Sequence, residues 1–266
     1  MTTALKKVYS SIDSTPWTPK SDSSCCFWIS AQGTAYANNA AVTTLTDMSS
    51  SNLTVTAGGT GGGPTFKTNI VNGYPGILFN GTNHYMQAAS LVTTLNMAWL
   101  VVGQNVGGSI GIFMEQGPNI NSASGFQMYA GFGQSYFMSN SGTGSYANPG
   151  SSGFWFNTGA SRKASGVYIN TATASSTVSW AANGPQWNTR LGTGTQYGSN
   201  LTQSGTVVTT SLSARTVTAT LNIMARNAAS VFANGYIHEI AIFSGGTYNL
   251  AWAQQLDNFV WQKWGI

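Results

Sequence analysis

Short apolar or alternating runs, separated by turn-forming residues, follow one another along most of the chain. From Val217 to Ile223 every second side chain is apolar and those between are Thr or Asn, which is typical of a strand with one buried face. The runs Met97–Val102 and Ile110–Met114 are continuously apolar, which indicates central strands covered on both faces. Asn80-Gly81, between two apolar runs, predicts a hairpin turn. The pattern predicts strands at 26–31, 53–57, 75–80, 84–89, 97–104, 110–116, 125–131, 134–139, 153–157, 166–170, 176–182, 206–211, 216–225 and 236–243.

The last segment of the chain has a different period. Leu250, Ala253, Leu256, Val260 and Trp264 follow one another at spacings of three and four, which places them on one stripe of an amphipathic helix. Many short strands followed by a single helix predict an all-β protein, a sandwich of two sheets with a short C-terminal helix.

The beginning of the chain has neither period. Residues 1–24 are rich in Ser, Thr, Pro and Lys, so we predict an extended N-terminal arm there and one sandwich domain over 25–266. Cys25 and Cys26 are adjacent, and adjacent Cα atoms are about 3.8 Å apart, too close for ordinary disulfide geometry. We expect two reduced, mostly buried thiols, with an intermolecular disulfide as the alternative.

Charged residues make up only 6% of the 266 residues, and the net charge is +4. The only adjacent cations are Lys6-Lys7 and Arg162-Lys163, so the chain lacks the cationic cluster that nucleic acid requires. The longest apolar run is far shorter than the roughly 18 residues of a membrane helix. Residues 1–17 hold no apolar core of a secretory signal, so we expect assembly in a cytoplasm.

Three stretches carry a resemblance to a known superfamily. Cys26–Ala31 resembles an aromatic-rich opening strand that usually ends in Asp-Ala, with Ser30 in place of the Asp. Asn72–Gly81 resembles an Asn-Gly-x-Pro…Phe-Asp-Gly hairpin, with Asn80 in place of the Asp. The third stretch, residues 221–223, 235–240 and 255–266, resembles the closing strands and the final helix of the same superfamily.

These motifs are similar to those of the concanavalin A-like lectin/glucanase superfamily, in its laminin-G-like branch. The resemblance implies a jelly-roll sandwich of two curved antiparallel sheets. The superfamily includes sugar binders, glucanases, adhesion modules and phage virion proteins, so the fold alone does not determine the function. Its calcium sites use Asp oxygens, whereas the matching positions here are Ser30 and Asn80, so no metal is expected.

The carboxylates do not form the pattern that glycoside hydrolysis requires. Glucanases place two carboxylates about 5–9 Å apart. Glu115 and Glu239 are a pair that could meet in space, but Glu239 matches a position where the family keeps a structural Glu. His84 and His238 are the only imidazoles, too few for a metal cluster. We therefore predict a protein that is not an enzyme and has no cofactor. No two of the six carboxylates lie within eight residues of each other: Asp13, Asp22, Asp47, Glu115, Glu239 and Asp257.

Carbohydrate binding fits the residue types better, because sugars stack on aromatic faces and bond to neutral amides and hydroxyls. Trp180, Trp187, Asn188 and Tyr197 fall in one segment and are candidate glycan contacts. The alternative is that these aromatic side chains belong to the core or to subunit contacts.

The scarcity of charge also favours assembly, because interface cores are depleted of charged residues. We predict a virion structural protein, a phage capsid decoration (cement) or fibre component that forms a homo-oligomer such as a trimer. Lys6, Lys7 and Trp17 of the arm are then expected to contact the major capsid protein or another virion protein. The alternative functions are a lectin-like module that recognises a host surface glycan and a bacterial surface adhesion module.

Overall fold

The computed structural model describes residues 16–71, 73–94, 97–106, 111–117, 127–130, 164–172, 177–186, 188–190, 204–211 and 216–246, and positions 252, 255, 256, 259 and 262–264. A short 3-10 turn, Pro19–Ser21, precedes the first strand. The strands are β1 (Cys25–Ser30), β2 (Thr44–Thr46), β3 (Thr54–Gly58), β4 (Thr65–Val71), β5 (Tyr74–Asn80), β6 (Tyr85–Thr94), β7 (Met97–Asn105), β8 (Gly111–Gln116), β9 (Gln127–Ala130), β10 (Ala164–Ala172), β11 (Thr177–Gln186), β12 (Asn188–Arg190), β13 (Ser204–Ser211), β14 (Thr216–Ile223) and β15 (Asn234–Ser244).

The strands form two antiparallel sheets. The larger, nine-stranded sheet has the order β13-β11-β10-β7-β15-β5-β4, with β1 also paired to β15 and β12 to β10. The smaller, six-stranded sheet has the order β2-β3-β6-β14-β8-β9. β5 and β1 share one edge of β15, with β5 along Asn234–Ile237 and β1 along Glu239–Phe243. The predicted all-β sandwich of two antiparallel sheets is confirmed.

Two layers of buried apolar side chains hold the strands in place. The inner core lies between the sheets and includes Phe27, Ile29 and Val101. A second cluster lies on the outer face of the larger sheet and includes Leu100 and Val102 of β7. Since neighbouring side chains of β7 belong to different clusters, the prediction that Met97–Val102 is covered on both faces is confirmed.

The second cluster is closed by the C-terminal helix, α1, which is described at positions 252, 255, 256, 259 and 262–264. Leu256 and Trp264 of the predicted stripe are fully buried. Trp252 and Phe259 lie on the same buried face, which the sequence analysis missed. Among the described residues, no helix is long and apolar enough to cross a lipid bilayer. Leu250, Ala253 and Val260 lie outside the described residues.

The hairpin predicted at Asn80-Gly81 is wrong. β5 ends at Asn80 in the larger sheet and β6 begins at Tyr85 in the smaller sheet, so the connection crosses from one sheet to the other. Asn80 Oδ1 accepts hydrogen bonds of 3.0–3.1 Å from the backbone N–H groups of residues 82–84. Gly81 has φ 72°, and a Cβ there would lie 2.6 Å from Asn234 Cβ. The Asn-Gly pair therefore builds a corner rather than a hairpin.

A two-residue hairpin connection occurs one strand earlier, where Val71 of β4 pairs with Tyr74 of β5. The strands β2, β4 and β12 were not predicted, because they are short or rich in polar residues and lack an apolar alternation. β4 also has a register break between Lys67 and Val71. The strands predicted at 134–139 and 153–157 lie outside the described residues.

Residues 16–24, the last nine residues of the predicted arm, pack on the domain. Pro19 is buried, and the Trp17 ring meets Phe259 of α1 edge-on, with centroids 6.1 Å apart. Asp22 Oδ2 accepts a hydrogen bond of 2.5 Å from Trp252 Nε1. This part of the chain therefore helps to hold α1 on the sheet.

Candidate functional site

A β-bulge in β15 positions a buried polar cluster that joins β15 to β1 and α1. Ile237 pairs with Gly103 of β7 and Glu239 with Val102, which leaves His238 as an extra residue. Ile237 and Ile240 both face the inner core. A bulge places two successive side chains on the same face, so His238 and Glu239 both point to the outer face, toward α1.

The Glu239 carboxylate is fully buried and accepts hydrogen bonds from three donors. Oε1 accepts from Trp28 Nε1 at 2.6 Å and from Lys263 Nζ at 2.8 Å, and Oε2 accepts from Trp264 Nε1. Burial raises the pKa of Glu239 above its ordinary value, and the Lys263 ammonium and the two indole N–H groups oppose that rise. We call Trp28, Glu239, Lys263 and Trp264 the Glu239 cluster.

Lys263 is the cation of this cluster and is held on several sides. Its Nζ lies 5.2–5.6 Å from the ring centroids of Trp28, Phe259 and Trp264, and it donates to Ser30 Oγ at 3.1 Å. Contacts of this kind favour a desolvated ammonium. The side chain is only 18% exposed, so the ion pair is largely removed from water.

His238 links the cluster to the β4–β5 side of the larger sheet. Its Nδ1 lies 2.8 Å from the Pro75 carbonyl oxygen, and its ring packs against Trp264 with centroids 5.6 Å apart. A Cβ on Gly76 would lie 2.7 Å from His238 Cε1. The glycine therefore leaves the space that the imidazole occupies, and the motif Tyr74-Pro75-Gly76 gains a packing explanation.

The three stretches that carry the resemblance thus meet in space. Trp28 comes from the first, Pro75 and Gly76 from the second, and Glu239 with Lys263-Trp264 from the third. The cluster is buried and occupied by its own donors, so its chemical role is to fasten α1 to the larger sheet. A buried carboxylate with three donors is an anchor of this kind rather than a group open to a substrate.

The other buried carboxylate, Glu115, is in β8 of the smaller sheet. Its Oε2 accepts a hydrogen bond of 2.8 Å from the backbone N–H of Asn227, and Arg226 Nε lies 3.9 Å from Oε1. Glu115 and Glu239 belong to different sheets and contact different residues. Within the described part of the chain, no group of three or more His, Cys, Asp or Glu is placed to hold a metal ion.

Asp47 is a further buried carboxylate, and the sequence analysis assigned it no role. Its Oδ1 accepts hydrogen bonds of 2.8 Å from the backbone N–H groups of Trp28 and Ser49. Its Oδ2 accepts from the Leu53 N–H at 3.1 Å and from Ser49 Oγ at 2.9 Å. Asp47 therefore ties β1 to the turn between β2 and β3.

The residues predicted to contact a glycan are described only in part. Trp180 lies in β11 opposite Val208 of β13, and Asn188 begins β12 opposite Val167 of β10. Trp17, predicted to contact a partner, is half-buried against Phe259. Lys6, Lys7, Trp187 and Tyr197 lie outside the described residues.

Comparison with known proteins supports the fold. No protein-family model matches the chain, and no curated protein matches it in sequence. The binding domain of Paraclostridial Mosquitocidal Protein 1 is similar in structure, with a TM-score of 0.54 and 10% sequence identity. The alignment covers 93% of this chain and 56% of that one.

Two botulinum neurotoxin structures are similar at the same level. The serotype D binding domain has a TM-score of 0.51 and 9% identity, covering 93% of this chain and 56% of that one. The serotype G binding domain has a TM-score of 0.51 and 12% identity, covering 91% and 54%. The chain thus spans a little over half the length of these structures. At such low identity the likeness shows the β-sandwich fold and nothing finer.

Proposed function

We propose that this protein is a non-catalytic, lectin-like binding module that recognises a glycan on a cell surface. The observation that carries the proposal is that the described carboxylates of the protein are hydrogen-bonded to the protein itself. Each carboxylate in the described part of the chain accepts hydrogen bonds from the protein itself: Asp22, Asp47, Glu115 and Glu239. Glycoside hydrolysis needs two carboxylates facing one bond of the sugar, and these four are committed to structural contacts instead.

Two further observations support a binding role. The chain is only 6% charged, so its surface offers mainly hydroxyls and amides, groups that form hydrogen bonds with neutral sugars. Three similar structures with TM-scores above 0.5 are binding domains of toxins. Because one fold hosts many functions, this likeness suggests a class of role and no particular ligand.

The test is a glycan array probed with the fluorescently labelled full-length protein. We expect selective binding to one group of neutral oligosaccharides, with an affinity in the range of about 1 µM to 1 mM. The bound oligosaccharide, incubated with the protein, is expected to stay intact by mass spectrometry. Absence of binding to any glycan would contradict the proposal, and release of shorter sugars would show a hydrolase.

The second candidate is the virion role, in which the protein coats a capsid or forms part of a fibre as a homo-oligomer. The scarcity of charge favours it, because interface cores exclude charged residues. The major capsid protein or another virion protein would be the partner, and Lys6 and Lys7 of the arm would contact it. Cryo-electron microscopy of the native assembly tests this role by identifying the chains in contact with residues 1–15.

A variant lacking residues 1–15 sharpens that test. The deletion leaves Trp17 on Phe259 and Asp22 on Trp252, so the domain is expected to remain folded. A decoration protein would lose capsid binding on this deletion, whereas a lectin would keep its glycan binding. If the truncated protein decorates particles as the full chain does, the arm has no role in assembly.

A further inference from the structure

One end of the sandwich brings together an aromatic pair and a row of amides from distant parts of the chain. At this end Gly58, the last residue of β3, pairs with Tyr85, the first residue of β6. Asn80, the last residue of β5, pairs with Asn234, the first residue of β15. We call Tyr85, Phe232, Asn80, Asn83 and Asn234 the end patch.

The apolar floor of the end patch consists of two rings. The Tyr85 ring lies directly on the backbone of Gly58, where a Cβ would overlap it. Phe232 lies beside Tyr85, with ring centroids 6.4 Å apart and planes inclined by 31°. Both side chains are half-buried. Because the two rings lie side by side at a small angle, one sugar ring could stack over both.

The polar side of the end patch is a chain of neutral groups. Asn80 Nδ2 donates to Asn83 Oδ1 at 2.8 Å, and Asn83 Nδ2 donates to the Thr60 carbonyl at 3.1 Å and to Thr60 Oγ1 at 2.5 Å. These bonds hold the amides in fixed directions beside the Tyr85 ring. Beyond these bonds Asn80 Nδ2 has one further hydrogen and Asn83 Oδ1 one further lone pair, and these are the groups that a carbohydrate hydroxyl would meet.

The backbone that carries Phe232 is held in unusual conformations. Asn227, Ala228 and Val231 have φ of 46°, 56° and 50°, in a region that a β-branched residue such as Val231 rarely adopts. The Val231 carbonyl accepts a hydrogen bond of 3.0 Å from the Ile112 N–H, which keeps the segment on β8. Conformations of this kind persist only where the surrounding structure imposes them, and they concentrate at ligand-binding sites.

The end patch carries no formal charge. Residues 58–64, 80–85 and 227–234 contain no Lys, Arg, Asp or Glu. Burial lowers the pKa of His84, so its imidazole is neutral at physiological pH. A site without charges offers no cationic side chain to a phosphate, a sulfate or the carboxylate of sialic acid. The chemistry therefore favours a neutral sugar.

We infer that the end patch is a binding subsite for one neutral pyranose ring, stacked on Tyr85 and Phe232 and hydrogen-bonded to the neighbouring amides. This inference rests on the proposed glycan-binding function and gives it a place in the fold. β12, which begins at the predicted contact Asn188, ends at the same end of the sandwich, since Arg190 pairs with Ser165 and Ala164 with Gly103. Two strands, β10 and β7, lie between β12 and β15, so Asn188 belongs to the same sheet as the subsite but does not lie next to it.

The experiment compares the affinity of single variants for the neutral oligosaccharide that gives the strongest signal on the array. Tyr85→Ala and Phe232→Leu each remove one ring face, and each is expected to raise the dissociation constant about tenfold or more, as loss of a central contact does. Tyr74→Ala is the matched control, because Tyr74 is also a half-buried tyrosine but stands at the opposite end of β5, against Trp264. It is expected to bind as the unmodified protein does.

A second measurement uses the unmodified protein, so its result does not depend on whether the variants fold. In ¹H–¹⁵N correlation spectra of the unmodified protein, titration with the same oligosaccharide is expected to shift the side-chain amide signals of Asn80, Asn83 and Asn234. If the protein binds the sugar but these signals and the affinities of both ring variants stay unchanged, the end patch is not the subsite, although the proposed function stands. If the unmodified protein binds no sugar, the proposed function itself fails.

Discussion

Replacing Lys263 by Met tests whether the Glu239 cluster fastens α1 to the larger sheet. Met is unbranched and of similar length, so Lys263→Met keeps most of the packing of the lysine stem on Trp28 and Trp264. It removes the ammonium that lies 2.8 Å from Glu239 Oε1. The carboxylate then remains fully buried with two indole donors and no counter-charge.

The magnitude follows from the burial of the two partners. Removal of one member of a buried ion pair costs about 3–5 kcal/mol. The Lys263 side chain is 18% exposed, and we therefore expect the lower end of that range, about 3 kcal/mol near neutral pH. For a protein of this size the melting temperature would fall by roughly 6–12 °C.

The loss depends on pH, and its sign follows from the Glu239 pKa. Burial raises that pKa and Lys263 opposes the rise, so in the variant the folded-state pKa lies further above the unfolded value of about 4.3. A group with a raised folded-state pKa contributes stability below its unfolded pKa and loses it as pH rises through the folded pKa. The variant is therefore expected to lose up to about 1.4 kcal/mol per pH unit relative to the unmodified protein in that window.

Urea unfolding followed by tryptophan fluorescence at about pH 4 and about pH 8 measures both effects. Near the lower pH protonation of the carboxyl removes the charge pairing, so the variant lacks only the cation–π contacts and the hydrogen bond to Ser30 Oγ, a loss of about 1–2 kcal/mol. Lys20→Met is the matched control: Lys20 is exposed, so the change is expected to stay within about 0.5 kcal/mol. An equal loss at both pH values, or none at either, would refute the role assigned to Lys263.

Two further predictions concern other buried contacts. Gly76→Ala places a Cβ 2.7 Å from His238 Cε1 and is expected to lower the free energy of unfolding in urea by about 1–3 kcal/mol. Most of that loss should vanish in a His238→Ala background. Strict additivity of the two changes would contradict the packing explanation. Burial raises the pKa of Cys26 to about 12 and also raises that of Cys25, so both thiols should resist iodoacetamide in the folded protein and react in urea. Because these folded-state values exceed the ordinary thiol pKa of about 8.5, the thiols' stabilising contribution is complete below that pH and declines above it; a Cys25→Ala/Cys26→Ala variant should show a shallower alkaline decline, and equal slopes would contradict the burial argument.

The two-sheet architecture could be predicted from the sequence because its main strands have a clear period. In β14, Val217, Leu221 and Ile223 are buried, as a strand with one face on the core requires. The continuous apolar run of β7 similarly indicated two covered faces. Patterns of this kind report burial directly, and burial is what decides where these strands lie.

The connections between strands could not be predicted in the same way. Asn-Gly occurs four times, at positions 72–73, 80–81, 183–184 and 234–235, and the dipeptide favours a turn without indicating which strands or sheets it joins. Asn80 instead accepts hydrogen bonds from three successive N–H groups of a corner. Whether the chain continues in the same sheet depends on the packing of β5 on β15 and of β6 on β14, strands that lie far apart in sequence.

The Glu239 cluster was only partly visible in the sequence. Trp28 and Glu239 are 211 residues apart, so no local pattern joins them. A local signal for the bulge does exist, because Ile237 and Ile240 are both core residues at a spacing of three, which breaks the period of two. Such a break indicates that two successive side chains share a face, and it marks His238 and Glu239 as the residues that leave the core.

A buried ion pair is weak evidence for stability, since apolar side chains of the same volume often do as well. Its clearer consequence here is geometric. The two indole N–H groups and the ammonium meet one carboxylate at the bulge of β15. α1 supplies two of these donors, Lys263 and Trp264, and β1 supplies Trp28, so both contacts of α1 form in one register only. With α1 fixed there, the outer face of the larger sheet is closed over β7 and β15, and the inner faces of both sheets close on each other. The part of the described chain left to recognise a ligand is then the loop-bearing ends and the threonine-rich outer face of the smaller sheet, which is why we place recognition in an uncharged patch at one end.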